Sequence, residues 1–220
     1  MPTVGLVLSG CGYLDGAEIQ ETVITMLALD RAGVDMVFMA PNIEQLHTIN
    51  HQTGEEIGGM SRNVLVESAR ITRGNVQDIT TVDPNELDAL IFPGGFGVAK
   101  NLCDYAMVGA DCSVNPGVEA LATAIHDAGK PIGVICIAPA MMAKIMGNSG
   151  IQADLTIGSD EGTGNDIRAM GGRPVTCPVQ EMVVDKEQKI VSTPAYMEAQ
   201  RISEAAAGIE KLVQEVLNLI

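Results

Sequence analysis

Cys136 stands where an apolar run, Pro131-Ile132-Gly133-Val134-Ile135, gives way to the helix-forming stretch Ala138-Pro139-Ala140-Met141-Met142-Ala143-Lys144. A side chain at such a strand-to-helix turn projects from the carboxyl edge of a sheet, beside helix N–H groups that lack partners. Those donors, and the positive end of the helix dipole, favour a thiolate over a thiol. The placement predicts a nucleophile. The competing role is that of an inert, buried cysteine acting as a small hydrophobe. The positions two before and two after are Val134 and Ala138, not the paired glycines of a hydrolase elbow.

Glu18 is the next candidate, at the start of the first helix after a loop of small residues. A carboxyl facing a thiol could share one proton with it and pass that proton to substrate carbon or oxygen. The residues alone favour a plainer role, since Asp15-Gly16-Ala17-Glu18 has capping-box spacing. Gly95, in Pro93-Gly94-Gly95, and Ile137 could each present a backbone N–H to a developing oxyanion. An ordinary glycine turn after a strand is the alternative. Cys11 and Gly94 are candidates for lining the same pocket. Cys103, Cys112 and Cys177 carry no motif. The three histidines, His47, His51 and His126, all precede Cys136. His47 and His51 have the spacing of a metal pair but no third ligand nearby, so no metal is expected.

These side chains need a scaffold that brings separate loops together. Val4–Leu8, Val34–Met39, Leu87–Phe92 and the run before Cys136 read as buried strands, alternating with helical stretches. The first helix is expected to bury Ile19, Val23, Met26 and Leu27 and to end at Gly33. Residues 41–60 are polar and turn-rich. A helix within 61–71 is expected to be capped by Ser61, and helical material spans about 98–108. Residues 181–185 and 189–193 look like a hairpin. An amphipathic helix with Ile202, Ala206, Ile209, Val213, Val216 and Ile220 on one face closes the chain. The pattern implies one α/β domain over residues 1–220, with a mostly parallel sheet covered on both faces. Its site belongs at the strands' carboxyl ends. The loop after the first strand, Pro93-Gly94-Gly95 and the Cys136 turn should converge there, if the strand order allows.

Bulk properties narrow the partners. A net charge of -15 over 220 residues repels phosphate backbones and anionic membranes, so neither nucleic acid nor membrane is an expected partner. Five cysteines without a CxxC pair fit a reducing cytosol. The expected compartment is therefore the cytoplasm; a matured organellar protein is the second option, because a removed presequence leaves no trace. Aromatic residues are 3% of the chain, with no Trp. Aliphatic side chains and methionine must therefore fill the core.

Several segments in order, Ser9-Gly10-Cys11-Gly12, Ile71-Thr72-Arg73-Gly74, Leu90–Gly97, Gly133–Met141 and Thr193-Pro194-Ala195-Tyr196-Met197, resemble the PfpI/ThiJ superfamily. Within it they are most similar to the ElbB branch, glyoxalases once described as isoprenoid-biosynthesis proteins with an amidotransferase-like domain. The resemblance covers essentially the whole chain. It implies a flavodoxin-like, class I glutamine amidotransferase-like three-layer sandwich and a homodimer. It also implies a nucleophilic cysteine paired with a helix-borne glutamate. Gly16–Ile24 resembles the helix of Parkinsonism-associated relatives on which that glutamate sits, which shifts the expectation for Glu18 from capping to chemistry. Two departures matter: Ile137 stands where PfpI-type proteases carry His, and no His follows Cys136 as glutamine amidotransferases require. Both of those activities are therefore disfavoured.

The expected reaction is a glutathione-independent, cofactor-free conversion of small dicarbonyls such as glyoxal to glycolate. It would proceed through a Cys136 hemithioacetal, with Glu18 as proton shuttle. The alternatives are a sensor whose Cys136 is trapped by electrophiles or oxidants, and a subunit that passes small molecules to a partner enzyme.

Overall fold

Residues 1–220 are all described by a computed structural model. Along the chain come β1 (Thr3–Val7), α1 (Ile19–Arg31) and β2 (Asp35–Ala40), then a small hairpin of β3 (Ile49–Asn50) and β4 (Glu55–Glu56). These are followed by α2 (Val64–Ile71), β5 (Gln77–Asp78) and β6 (Ala89–Phe92). A π-helical turn (Val98–Leu102) leads into α3 (Tyr105–Val108) and α4 (Pro116–Asp127), then β7 (Ile132–Ile135) and α5 (Ala138–Asn148). The last third holds β8 (Asp154–Leu155), α6 (Glu161–Ala169), β9 (Arg173–Pro174), β10 (Val183–Asp185), β11 (Ile190–Thr193) and α7 (Ile202–Asn218).

Seven strands form the central sheet, in the order β10-β11-β7-β6-β1-β2-β5. Every neighbouring pair is parallel except the hairpin β10–β11. From β1 the chain winds outward through β2 to β5, then returns to the other side of β1 as β6. The two connections therefore leave in opposite directions between β1 and β6, which opens a crevice at their carboxyl ends. The expected α/β sandwich with a mostly parallel sheet is the architecture found. The convergence of three loops at one edge follows from this order.

Burial explains the residue choices. All residues of β6, β7 and β11 are buried, as strands covered on both faces must be. On one face α7 lays Ile209, Leu212, Val213 and Val216 against Ile91, Ile135 and Val191. On the other, α4 and α5 bury Val118, Leu121, Met142 and Met146 with Leu90, Val134 and Ile190. Of the eleven residues of α5, only Lys144, Gly147 and Asn148 escape full burial.

Four local expectations change. Asn63, not Ser61, caps α2, because its side chain accepts from the Val66 N–H at 3.0 Å. The 98–108 stretch is a π-turn and a separate short helix, not one continuous helix. In α1, Ile19, Val23 and Leu27 are exposed, while Glu21, Thr22, Thr25 and Leu29 are buried. The cap of α1 is Glu18, which removes Asp15 from that role.

Candidate active site

Cys136 leaves β7 at φ 63°, in the left-handed region. That conformation costs a non-glycine residue about 1–2 kcal/mol. The bend is held by the Cys136 N–H donating to Thr193 O at 3.0 Å, and Ile137 then caps α5. Cys136 is 8% exposed, at the crevice beside the β6–β7 pair. The N–H groups of Gly95 and Ile137 both point at its sulfur. The two candidate oxyanion donors thus flank Cys136.

The carboxyl that meets the thiol belongs to Glu21, not Glu18. Glu21 is 0% exposed, and each of its oxygens accepts a backbone N–H: Oε2 from Gly94 at 2.9 Å, Oε1 from Tyr196 at 3.1 Å. Ala195, buried and at φ 42°, sets the Tyr196 N–H in that direction. Glu18 turns back instead. Its Oε2 accepts the Glu21 N–H at 2.6 Å, satisfying one of the first-turn donors of α1. The two residues share one side of the helix, and the helix start decides between them. Because α1 begins after Glu18, residue 18 caps and residue 21, one turn on, reaches the sulfur.

Burial, and secondarily the Glu18 charge, push the Glu21 carboxyl up to about 8. Burial and the Glu21 charge together raise the Cys136 thiol well above its ordinary value, against the pull of the Gly95 and Ile137 N–H groups. The low thiol pKa expected from the helix terminus is thus reversed: desolvation outweighs the dipole. A thiolate and a carboxylate cannot both persist in this contact. A thiolate forms when Glu21 keeps its proton and donates it to sulfur, so the pair titrates as one unit.

Glycine is required where the loops touch. A Cβ on Gly94 would overlap the Cys136 Cβ and press on Glu21 Oε2, and one on Gly95, at φ 98°, would overlap the Glu18 N–H. Gly94 supports Glu21 from behind and does not face the cavity. Cys11 does not line it either; it lies near Glu67 and Arg70, where burial and Glu67 raise its thiol pKa. Cys103 and Cys112 are buried in the core, where Cys103 donates to Val98 O at 3.2 Å and Cys112 Sγ lies 3.9 Å from Met170 Sδ. The ring nitrogens of His51 are engaged, Nδ1 with Ile49 O at 3.1 Å and Nε2 accepting from Leu14 N at 3.2 Å.

Above the sulfur opens a cavity of about 450 Å³, mostly apolar, bordered by Glu18, Gly95, Cys136 and Ile137. Its walls are Tyr13, Phe96, Tyr105 and Tyr196, with Asp160 and Thr163 at one side. Tyr105 is fixed by donating to Asp166 Oδ2 at 2.7 Å, and Tyr196 by a hydrogen bond to Gln20. A larger, polar cleft of about 530 Å³ adjoins at Asp160 but contains no cysteine. Sequence reasoning missed Glu21 and the four rings. Glu21 had a signal, a first-turn carboxyl three residues beyond a capping-competent one; the rings had only their rarity.

An elbow cysteine paired with a buried acid at the switch point of a flavodoxin-like sandwich defines a class of α/β protein, and comparison with known proteins narrows it. No family model matches the sequence. The human "glutamine amidotransferase-like class 1 domain-containing protein 3, mitochondrial" is 42% identical, over 98% of this chain and 82% of its own length. The rat "ES1 protein homolog, mitochondrial" is 41% identical, over 98% and 83%. Among solved structures, an "isoprenoid biosynthesis protein with amidotransferase-like domain" from Ehrlichia chaffeensis superposes with TM-score 0.93 at 36% identity, over 100% of this chain and 99% of that one. Drosophila melanogaster DJ-1beta shares the fold alone, at TM-score 0.54 and 18% identity over 99% and 95% of the two chains. The chain belongs to the class 1 glutamine amidotransferase-like family.

Proposed function

We propose that this protein is a glutathione-independent glyoxalase that converts small dicarbonyls, glyoxal among them, to the corresponding hydroxy acids. One observation carries the reading: a single sulfur lies between a protonatable buried carboxyl and two backbone donors, at the floor of an apolar cavity. Cys136 Sγ attacks one aldehyde carbon, and the thiol proton passes through Glu21 to the carbonyl oxygen, giving a hemithioacetal. The Gly95 and Ile137 N–H groups hold the developing oxyanion. Glu21 then takes the proton from the carbon bearing sulfur and returns one to the adjacent carbon through an enediol. A thioester of the hydroxy acid is left. Water cleaves it, releasing glycolate from glyoxal and restoring the thiol. No redox change occurs overall, and no cofactor is required.

Glu21 thus takes the proton-shuttle role expected of Glu18. The Ehrlichia chaffeensis structure, named for isoprenoid biosynthesis and similar along the whole chain, supports the assignment to the ElbB-like branch. We further propose that the working form is a homodimer. The exposed Ile19, Val23 and Leu27 form an apolar stripe along α1 that a second copy would cover. The expected cytosolic home becomes, on this reading, any reducing compartment, since all five cysteines are unpaired and the human and rat relatives are mitochondrial by name.

The test is glycolate formation from glyoxal. Wild-type protein should turn over many times, and Cys136→Ala should lose at least about a thousand-fold in rate. A single stoichiometric burst, or undiminished turnover in the variant, defeats the reading. The burst would favour the sensor.

A further inference from the structure

The chain contains six aromatic residues, three Tyr and three Phe, with no Trp. Phe38 and Phe92 are buried in the core. The other four, Tyr13, Phe96, Tyr105 and Tyr196, all border the Cys136 cavity. Core packing does not explain this, since Tyr13 and Phe96 are each 48% exposed. Glyoxal has only a few heavy atoms. A cavity of about 450 Å³ lies instead in the range of much larger ligands, roughly 300–1,000 Å³.

Charge is equally one-sided. The ionisable lining groups other than tyrosine and the thiol are the carboxyls of Glu18 and Asp160, and no Lys, Arg or His borders the cavity. Both acids are held in place, Glu18 by the Glu21 N–H and Asp160 by the Thr163 N–H at 2.7 Å. The buried Glu21 stands behind the sulfur. Two cations lie close by, each with a hydrogen-bond partner of its own. Lys100 Nζ donates to Leu14 O at 2.9 Å and lies 5.4 Å from the centre of the Phe96 ring. Arg168, in the adjoining cleft, bonds Asn165. The net charge of -15 adds to the same field.

We propose that this cavity selects carbonyl electrophiles with a flat body that is neutral or positively charged, and turns away those bearing a carboxylate or phosphate. Aromatic walls stack on planar groups and attract cations through their ring faces. Two fixed carboxylates raise the free energy of any anion brought beside them. The inference rests on the dicarbonyl reading only for the reacting group; the recognition of the body is independent of it.

The experiment is protection of Cys136 from iodoacetamide, followed by mass spectrometry of the Cys136 peptide so that other thiols do not interfere. Four matched probes are used: benzamidine, benzamide, benzoate and cyclohexanecarboxamide. Benzamidine and benzamide should protect at concentrations on the order of ten-fold lower than benzoate, and benzamide better than its puckered analogue. Asp160→Asn, whose asparagine still caps α6, should narrow the gap between benzamide and benzoate several-fold. Equal protection by benzoate overturns the charge selection, and equal protection by cyclohexanecarboxamide overturns the preference for flat groups. A Cys136 that none of the probes shields, or that iodoacetamide never reaches, overturns both. None of these readouts needs turnover. A failed glycolate assay with the protection pattern intact therefore refutes the proposed reaction and leaves this inference standing.

Discussion

Glu21 and Cys136 occupy one buried contact in which at most one negative charge is tolerable, and that restriction has measurable consequences. Glu21→Gln keeps the size of the side chain but removes the exchangeable proton. Turnover should fall by about 10²–10⁴-fold, the usual worth of a positioned acid–base group. The same change should alter stability in a pH-dependent way. The folded protein holds the Glu21 proton up to about pH 8, whereas the ordinary carboxyl loses it near 4.5. Its contribution is therefore fully present below about 4.5 and is lost as pH rises to about 8. Urea midpoints of the wild type should fall across that window, and those of Glu21→Gln should fall less. Glu18→Ala tests the other carboxyl. It should cost about 1 kcal/mol of stability through the lost cap, with far less effect on the rate than Glu21→Gln. Of the two glutamates, the sequence points as readily to the one that caps the helix as to the one that meets the thiol. A shift of three residues in the helix start exchanges their roles, and helix starts are the least legible feature of a chain. The acidity of Cys136 departs from expectation for a related reason: the helix terminus can be read from the residues, but the depth of burial cannot.

At the scale of elements, three loops meet so closely that backbone replaces side chain as the building material. Gly94→Ala should destabilise by roughly 1–3 kcal/mol or more through overpacking and remove most activity by displacing Cys136 or Glu21. Gly129→Ala is the control. It also has positive φ, 68°, but a Cβ placed there would meet nothing within 4 Å, so it should cost only about 1 kcal/mol and leave turnover intact. Thermal melts and glycolate assays on both variants separate crowding from backbone strain. The strand-to-helix junction at Cys136 is legible because β7 is continuously apolar and Pro139 marks the helix's first turn. The buried face of α1 is not. Hydrophobic pattern points to Ile19, Val23 and Leu27, but the inward face carries Glu21, Thr22 and Thr25 beside Leu29. Polar residues occupy an interior position there because the helix serves the site, and apolar ones are left outside.

That inversion reaches the whole molecule. An apolar stripe at residues 19, 23 and 27 has no partner within the chain, and the homodimer proposal accounts for it. Val23→Glu should shift sedimentation from dimer towards monomer, and a wild type that sediments as a monomer at micromolar concentration would end that proposal. The larger architecture is the most legible level. Buried runs alternating with helical stretches admit few arrangements beyond a doubly wound sheet, and the return of the chain to β6 beside β1 supplies the crevice. The placement of the aromatic residues has one last consequence. With no Trp in the chain and all three tyrosines around one opening, light absorbed near 280 nm is absorbed almost entirely at the mouth of the site. Unlabelled protein should therefore report occupancy through its own ultraviolet emission, while unfolding far from the cavity leaves that signal nearly silent.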